Sequence, residues 1–232
     1  MKKKMKLLLF PLILMGFILT LTNSCKKSDD NNPSNAITDP DGNVYHAVKI
    51  GTQTWMVENL KTTKYKDGTN IPLVADNTAW STLTTEGYCW YNNDALTNKN
   101  PYGALYNWYA VNTGKLCPTG WQVPTDSAWT TLTTYLGGES VAGGKLKESG
   151  TMHWLTPNTD ADNSYGFTAL PGGSHYNNGA FYLMGKYGWY WSSTESSSSE
   201  AWHEYMIYNS AANYRTAGAK NIGFSVRCIK DN

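Results

Sequence analysis

From about Val44 onward, short apolar and aromatic runs are cut by frequent Gly, Asn and Thr with few charges, a pattern of short strands joined by many turns rather than of helices. In "DPDGNVYHAVKIGTQTWMVENL" the pair Asp41-Gly42 sets a turn and "VYHAVKI" reads as a strand. Gly51-Thr52 makes a second turn and "QTWMVENL" a second strand, so the segment predicts a hairpin. Asp67-Gly68 repeats the turn signal. After Gly150, "YGFTALPGGS", "AFYLMGKYGWYWSST", "AWHEYMIY" and "IGFSVRCIK" predict further strands, with "SSTESSSSE" a loop.

A helical period stands out only in the middle. Thr125 can cap the first turn, Asp126 suits its positive end, and Trp129, Leu132 and Leu136 then form one apolar stripe. Gly137-Gly138 ends that helix. A second short helix, "SVAGGKLKE", is weakened by Gly143 and Gly144. One or two helices flanked by strands, without βαβ alternation, predict the α+β class.

The first residues follow another pattern. "MKKKMKLLLFPLILMGFILTLTNSC" has a basic start, an apolar run and then a cysteine, as a secretory signal does, and the run is short for a membrane span. "LTNSC" resembles a bacterial lipobox, with Thr22 where the pattern wants the leucine that stands at position 21. On this reading residues 1–24 are a lipoprotein signal peptide and Cys25 is lipidated. Residues 25–40, starting "CKKSDDNNPSNA", form a flexible polar tether, and residues 41–232 form the domain. "SDD" resembles the acidic signals that direct Bacteroidota lipoproteins to the cell surface, and on that reading the chain is an outer-membrane lipoprotein facing outward; a solvated linker with no address is the alternative.

Removing the signal takes Lys2, Lys3, Lys4 and Lys6 and no acid, so the net charge moves from +1 to −3. Such a chain lacks the basic face of a nucleic-acid partner. Three cysteines remain: Cys89, Cys117 and Cys228. In an oxidising compartment they predict one disulfide and one free thiol, with three pairings open.

Candidate chemistry is sparse. "HEYMI" starts like a zinc-protease helix, but Ile207 stands where the second histidine must be. "GGESVAGGKLK" has the wrong spacing for a phosphate loop, and "PGGSH" lacks the closing glycine of a nucleophile elbow. Asn158, Asp160 and Asp162 alternate as calcium ligands do, yet Asn163 replaces the required glycine and the bidentate glutamate is missing, so a solvated turn is the default. No motif pairs a nucleophile with its base. The sequence therefore predicts no catalytic residue and no cofactor, with calcium the one candidate ion.

The blocks "IGTQTWMVENLKTTKYKDGTNIP", "GYCWYNND", "YGALYNWYAV", "LCPTGWQVPTDSAWTTLTTYLGG", "GFTALPGG", "YWSSTE" and "GFSVRCIKD" occur in the order of the Fibrobacter succinogenes major paralogous domain, which residues 41–231 resemble. That family is exported and often lipid-anchored, and its biochemical function is not established. "VPTDSAW" and "GFSVRC" are similar, more distantly, to formylglycine-generating enzymes. The likeness implies a C-type-lectin-like fold with one or two short helices, a small twisted, mostly antiparallel sheet and long loops. It implies that the chain ends pair in one sheet and that Cys117 bonds Cys228, with Cys89–Cys228 as the other candidate. The copper-binding cysteine pair of those enzymes is absent here, so their oxidation chemistry is not expected.

A surface for binding remains. Trp202, Tyr205 and Tyr208 can stack on a ligand, while Asn209, Asn213 and Arg215 supply hydrogen bonds, although alternate strand residues must also fill a core. The expectation is a non-catalytic, surface-anchored module for a glycan or protein ligand. An enzyme with an unrecognised site in the loops and a structural or adhesion component of the envelope are the alternatives.

Overall fold

A computed structural model describes residues 36–231. The first strands, β1 (Ile37–Thr38) and β2 (Val44–Tyr45), pair around a turn in which Asp39 accepts the amides of Asp41 and Asn43 and the Tyr45 hydroxyl. The expected hairpin follows as β3 (Ala47–Ile50) and β4 (Gln53–Met56), turning at Gly51 with φ +59°. The run "VYHAVKI" is two strands rather than one. His46 breaks it, and Glu58 takes both its amide and its ring nitrogen.

Helix α1 (Asn77–Ser81), β5 (Tyr88–Cys89), α2 (Ala95–Tyr102), β6 (Leu105–Tyr106), α3 (Trp108–Asn112) and β7 (Trp121–Gln122) come next. Then follow α4 (Asp126–Tyr135), α5 (Glu139–Leu146), β8 (Ser174–His175), β9 (Phe181–Tyr182), β10 (Tyr187–Glu195), β11 (Glu200–Ile207), β12 (Asn213–Ala219) and β13 (Ile229–Lys230). Five helices are present among the described residues, against the one or two expected. The three unexpected ones are only 5, 8 and 5 residues long and open on the side-chain caps Asp76, Asp94 and Asn107. None of the described helices is long and apolar enough to cross a membrane.

Small antiparallel sheets make up the rest. The longest strands form the sheet β10-β11-β12, and a four-stranded sheet has the order β3-β4-β13-β7. The second sheet joins the early hairpin to the last strand, so the two ends of the domain do pair. Together with the helices this is a mixed α+β fold. The "SSTESSSSE" stretch, expected to be a loop, continues β10 to Glu195 and opens β11 at Glu200, with the ladder register shifting between Trp191 and Glu195 and a turn between the two strands.

Helix α4 forms as its cap and stripe dictate. The Thr125 hydroxyl accepts the Ala128 amide, and Trp129, Leu132 and Leu136 are buried. They pack with Trp55, Phe167, Tyr190 and Met206 between the helices and the sheets. A larger core lies on the other side of β10, around Tyr106, Trp108, Trp191 and Phe224, and holds the Cys117–Cys228 disulfide. That is the pairing the family likeness implied. Lys147 is fully buried, with its ammonium donating to the carbonyls of Thr159, Ile207 and Ser210, so the chain after α5 is tied to the end of β11.

The two glycines of α5 have a packing role. A Cβ on Gly143 would lie 2.1 Å from the carbonyl oxygen of Ala212, and one on Gly144 would lie 2.6 Å from that of Asp160. Gly143→Ala is therefore expected to destabilise the domain by about 2 kcal/mol, because overpacking outweighs the gain of about 1 kcal/mol in helix propensity. Urea unfolding of the variant checks the sign.

Candidate functional site

Strands β10, β11 and β12 sort their side chains by the two-residue period. Tyr190 and Met206 point into the core under α4 and α5. Tyr187 and Trp189 of β10, Tyr205 of β11 and Tyr214 of β12 fall on the opposite face. Trp189 faces Tyr205 across the ladder, and Tyr205 faces Tyr214. Their rings lie nearly parallel, at centroid distances of 4.7 Å for Tyr187–Trp189 and 4.9 Å for Tyr205–Tyr214. Trp189 also stacks on Phe224 at 5.7 Å. Around Tyr187, Tyr205 and Tyr214 this face is half-exposed, whereas at its Trp191 end the larger core and Trp108 of α3 cover it.

The β8–β9 hairpin overhangs one end of that face. Gly179 allows its tight tip at φ +78°, and Asn178 accepts the Ala180 amide there. Reciprocal amide–carbonyl bonds between His175 and Gly223 fix the hairpin beside Phe224. Its Tyr176, Tyr182 and Leu183 are among the most exposed large apolar residues of the domain.

Between hairpin and sheet runs a cleft of about 410 Å³, with Tyr205, His203 and Trp189 among its lining residues. Tyr176, Leu183 and Trp189 also wall a second hollow of about 220 Å³ that includes Ser174 and Asn178. Among the described residues no Asp, Glu, Lys or Arg lines either hollow. Burial lowers the His203 imidazole to about 4, so it too is neutral. Gly218 packs against that ring, where a Cβ would come within 3.0 Å.

Of the six residues picked from sequence as ligand contacts, Tyr205 alone lines this cleft. Trp202 lies on the other face, with the Arg215 guanidinium 3.5 Å over its ring. Arg215 is held in turn by two hydrogen bonds to Asp126. Asn213 is buried and donates to Glu204 and Thr133. Tyr208 packs on the α4–α5 core, and Asn209 is exposed in the turn after β11. The six do not converge. Of the other lining residues, Tyr187 and Trp189 carry one sequence signal, their two-residue spacing in "YGWYW", and Tyr176 carries none.

Three reactive groups lie elsewhere. Cys89 Sγ is 3.2 Å from His175 Nδ1, but the imidazole is sandwiched between Phe181 and Trp80. Burial raises the thiol well above its ordinary value and lowers the imidazole to about 4, so neither group is charged at pH 7. A neutral, buried thiol is a poor nucleophile. Asn158, Asp160 and Asp162 line an open hollow of about 510 Å³, and among the described residues no group of three or more His, Cys, Asp or Glu is placed to hold a metal. Cys25 lies outside the described residues.

Glu204 is the third. Burial, partly offset by the Asn213 hydrogen bond, pushes its carboxyl up to about 8. It ionises near 4.5 when unfolded, so the folded state holds the proton more tightly and stability is lost as pH rises from 4.5 to 8. His175 and His203, at about 4 folded and 6.5 unfolded, act oppositely, and stability is lost as pH falls from 6.5 to 4. Two histidines outweigh one carboxyl below 6.5, so an optimum near pH 6.5 is expected. Between pH 6.5 and 8 the histidines and Lys147, which burial lowers to about 8, offset part of the Glu204 loss, so the carboxyl is isolated by comparison. In urea titrations the wild type should lose about 2 kcal/mol relative to Glu204→Gln over that interval. Parallel pH profiles of the two proteins would refute the assignment.

Comparison with known proteins places these features. A family model described as the Fibrobacter succinogenes major domain matches residues 48–230, a span that includes the cleft strands, both bonded cysteines and Arg227. No curated protein and no solved structure matches the chain. The chain belongs to the Fibrobacter succinogenes major domain family.

Proposed function

We propose that this chain is a non-catalytic binding module of C-type-lectin-like type, held at the outer face of the outer membrane by a lipid on Cys25. Its ligand, a glycan or a protein, is received in the cleft between β10–β12 and the β8–β9 hairpin. One observation carries this reading. The aromatic face of the longest-stranded sheet is open and preformed, whereas Cys89, His175 and Glu204 are buried and neutral. Concave, largely apolar clefts with a few polar groups are where ligands bind. The pairing of the domain's ends and the two helices packed on one sheet face support the lectin-like assignment.

The test is capture of the full chain on a panel of immobilised glycans and extracellular proteins. Tyr205→Ala is expected to weaken a positive signal at least about tenfold, the effect of losing one central aromatic contact. Trp202→Ala, on the opposite face, should leave it within about twofold. Equal loss in both variants, or chemical turnover of the probe, would contradict the reading.

A further inference from the structure

Resting on that reading of the cleft, we infer that its ligand is an uncharged saccharide chain. Charge decides first. Among the described residues no ionised side chain lines either hollow. A uronate, sulfate or charged peptide would therefore be desolvated against aromatic walls without a counter-charge, which is costly. A neutral ligand avoids that cost.

The polar groups decide next. Tyr205, Thr216, Ser174 and Asn178 set hydroxyls and an amide beside the apolar rings. Pyranose rings match this, with C–H surface for aromatic rings and hydroxyls that both donate and accept. An extended peptide fits less well. The cleft lies over the face of the ladder, where β11 is paired on both sides and β10 and β12 pair with it. A peptide lying on the rings would therefore bury its own amides without backbone partners, and it could pair only at the outer edge of β12. The rings are also preordered, since Tyr187 is stacked on Trp189 and Tyr205 on Tyr214, which lowers the entropy lost on binding. The candidate calcium ligands Asn158, Asp160 and Asp162 line a different hollow, so recognition in the cleft does not pass through a cation held by them.

Affinity electrophoresis of the full chain tests this, with gels holding a neutral β-glucan, xylan or mannan, or the acidic polygalacturonate. Retardation by at least one neutral polysaccharide is expected, unchanged by EDTA and by about 0.5 M salt, where ionic attraction is screened. Tyr205→Ala and Tyr176→Ala should each weaken it at least about tenfold; Tyr176 is 43% exposed, so its loss does not threaten the fold. Retardation by polygalacturonate alone, or by no neutral polysaccharide, would overturn the inference. If a protein of the capture panel is then held through Tyr205, the binding-module reading survives and the saccharide inference falls. If neither substitution alters any binding, both fall.

Discussion

Replacing Arg227 by methionine is expected to lower the unfolding free energy by about 3–5 kcal/mol, enough to keep much of the chain from folding. The guanidinium is fully buried and, among the described residues, has no carboxylate within ion-pair distance. It is neutralised instead by dipoles: Nη1 donates to the carbonyls of Met56 and Phe167, Nη2 to that of Thr168, and Nε and Nη2 to Asn59 Oδ1. Its plane lies over the Phe167 ring at 4.5 Å. One side chain thus fastens the segment before β13 to the end of β4 and to the loop after α5. Methionine fills similar volume but leaves four acceptors buried without donors, at about 1–3 kcal/mol each before relaxation. Lysine keeps the charge without the planar fork, so Arg227→Lys should be nearly as harmful. Urea unfolding measures both. A loss under about 1 kcal/mol would mean the acceptors find other partners.

Removing the disulfide should cost a similar amount. Cys117 and Cys228 are separated by 111 positions, and closing a loop of that length restricts the unfolded chain by about 4–5 kcal/mol. The Cys117→Ala, Cys228→Ala pair is expected to unfold at correspondingly lower denaturant, with the folded fluorescence spectrum retained at low temperature. Cys89 gives an internal control. It is fully buried, so it should react with a thiol reagent only as the domain opens, and sooner in the variant. Equal midpoints for oxidised and variant protein would contradict the expectation. Since Cys228 adjoins Arg227, losses from the two changes should not add.

Much of the frame could be read before folding was seen. The β3–β4 hairpin announces itself through Gly51, and α4 through Thr125 and its stripe, because these are local signals. What stayed hidden depends on contacts between distant residues. Helices α1 to α3 are too short to show a period and are stabilised by caps and packing. Strand β12, "NYRTAGA", does not alternate, and its partner β11 specifies it. Gly143 and Gly144 read as weak points in a helix, and only the approach of Ala212 and Asp160 explains them.

The candidate site shows the same division. "AWHEYMIY" reads as a strand carrying ligand-type residues, yet both faces of β11 hold aromatics, so alternation cannot say which is buried. Asp126 answers for Trp202: by fixing Arg215 from 89 residues away it places the guanidinium over that ring. Asn213 was drawn inward by Glu204, a cross-strand neighbourhood that no short motif encodes. Tyr176 and Leu183 reach the cleft only because His175 and Gly223 join the hairpin to the sheet.

An uncharged glycan held on the open face of β10–β12 should protect the backbone beneath it. Hydrogen exchange of the full chain, with and without the neutral polysaccharide that retards it most, tests this most directly. Slowed exchange in residues 176–189 and 203–207, with α4 and the turn around Asp160 unchanged, is the expected result. Protection confined to α4 or to that turn, or none in the cleft at saturating glycan, would contradict it.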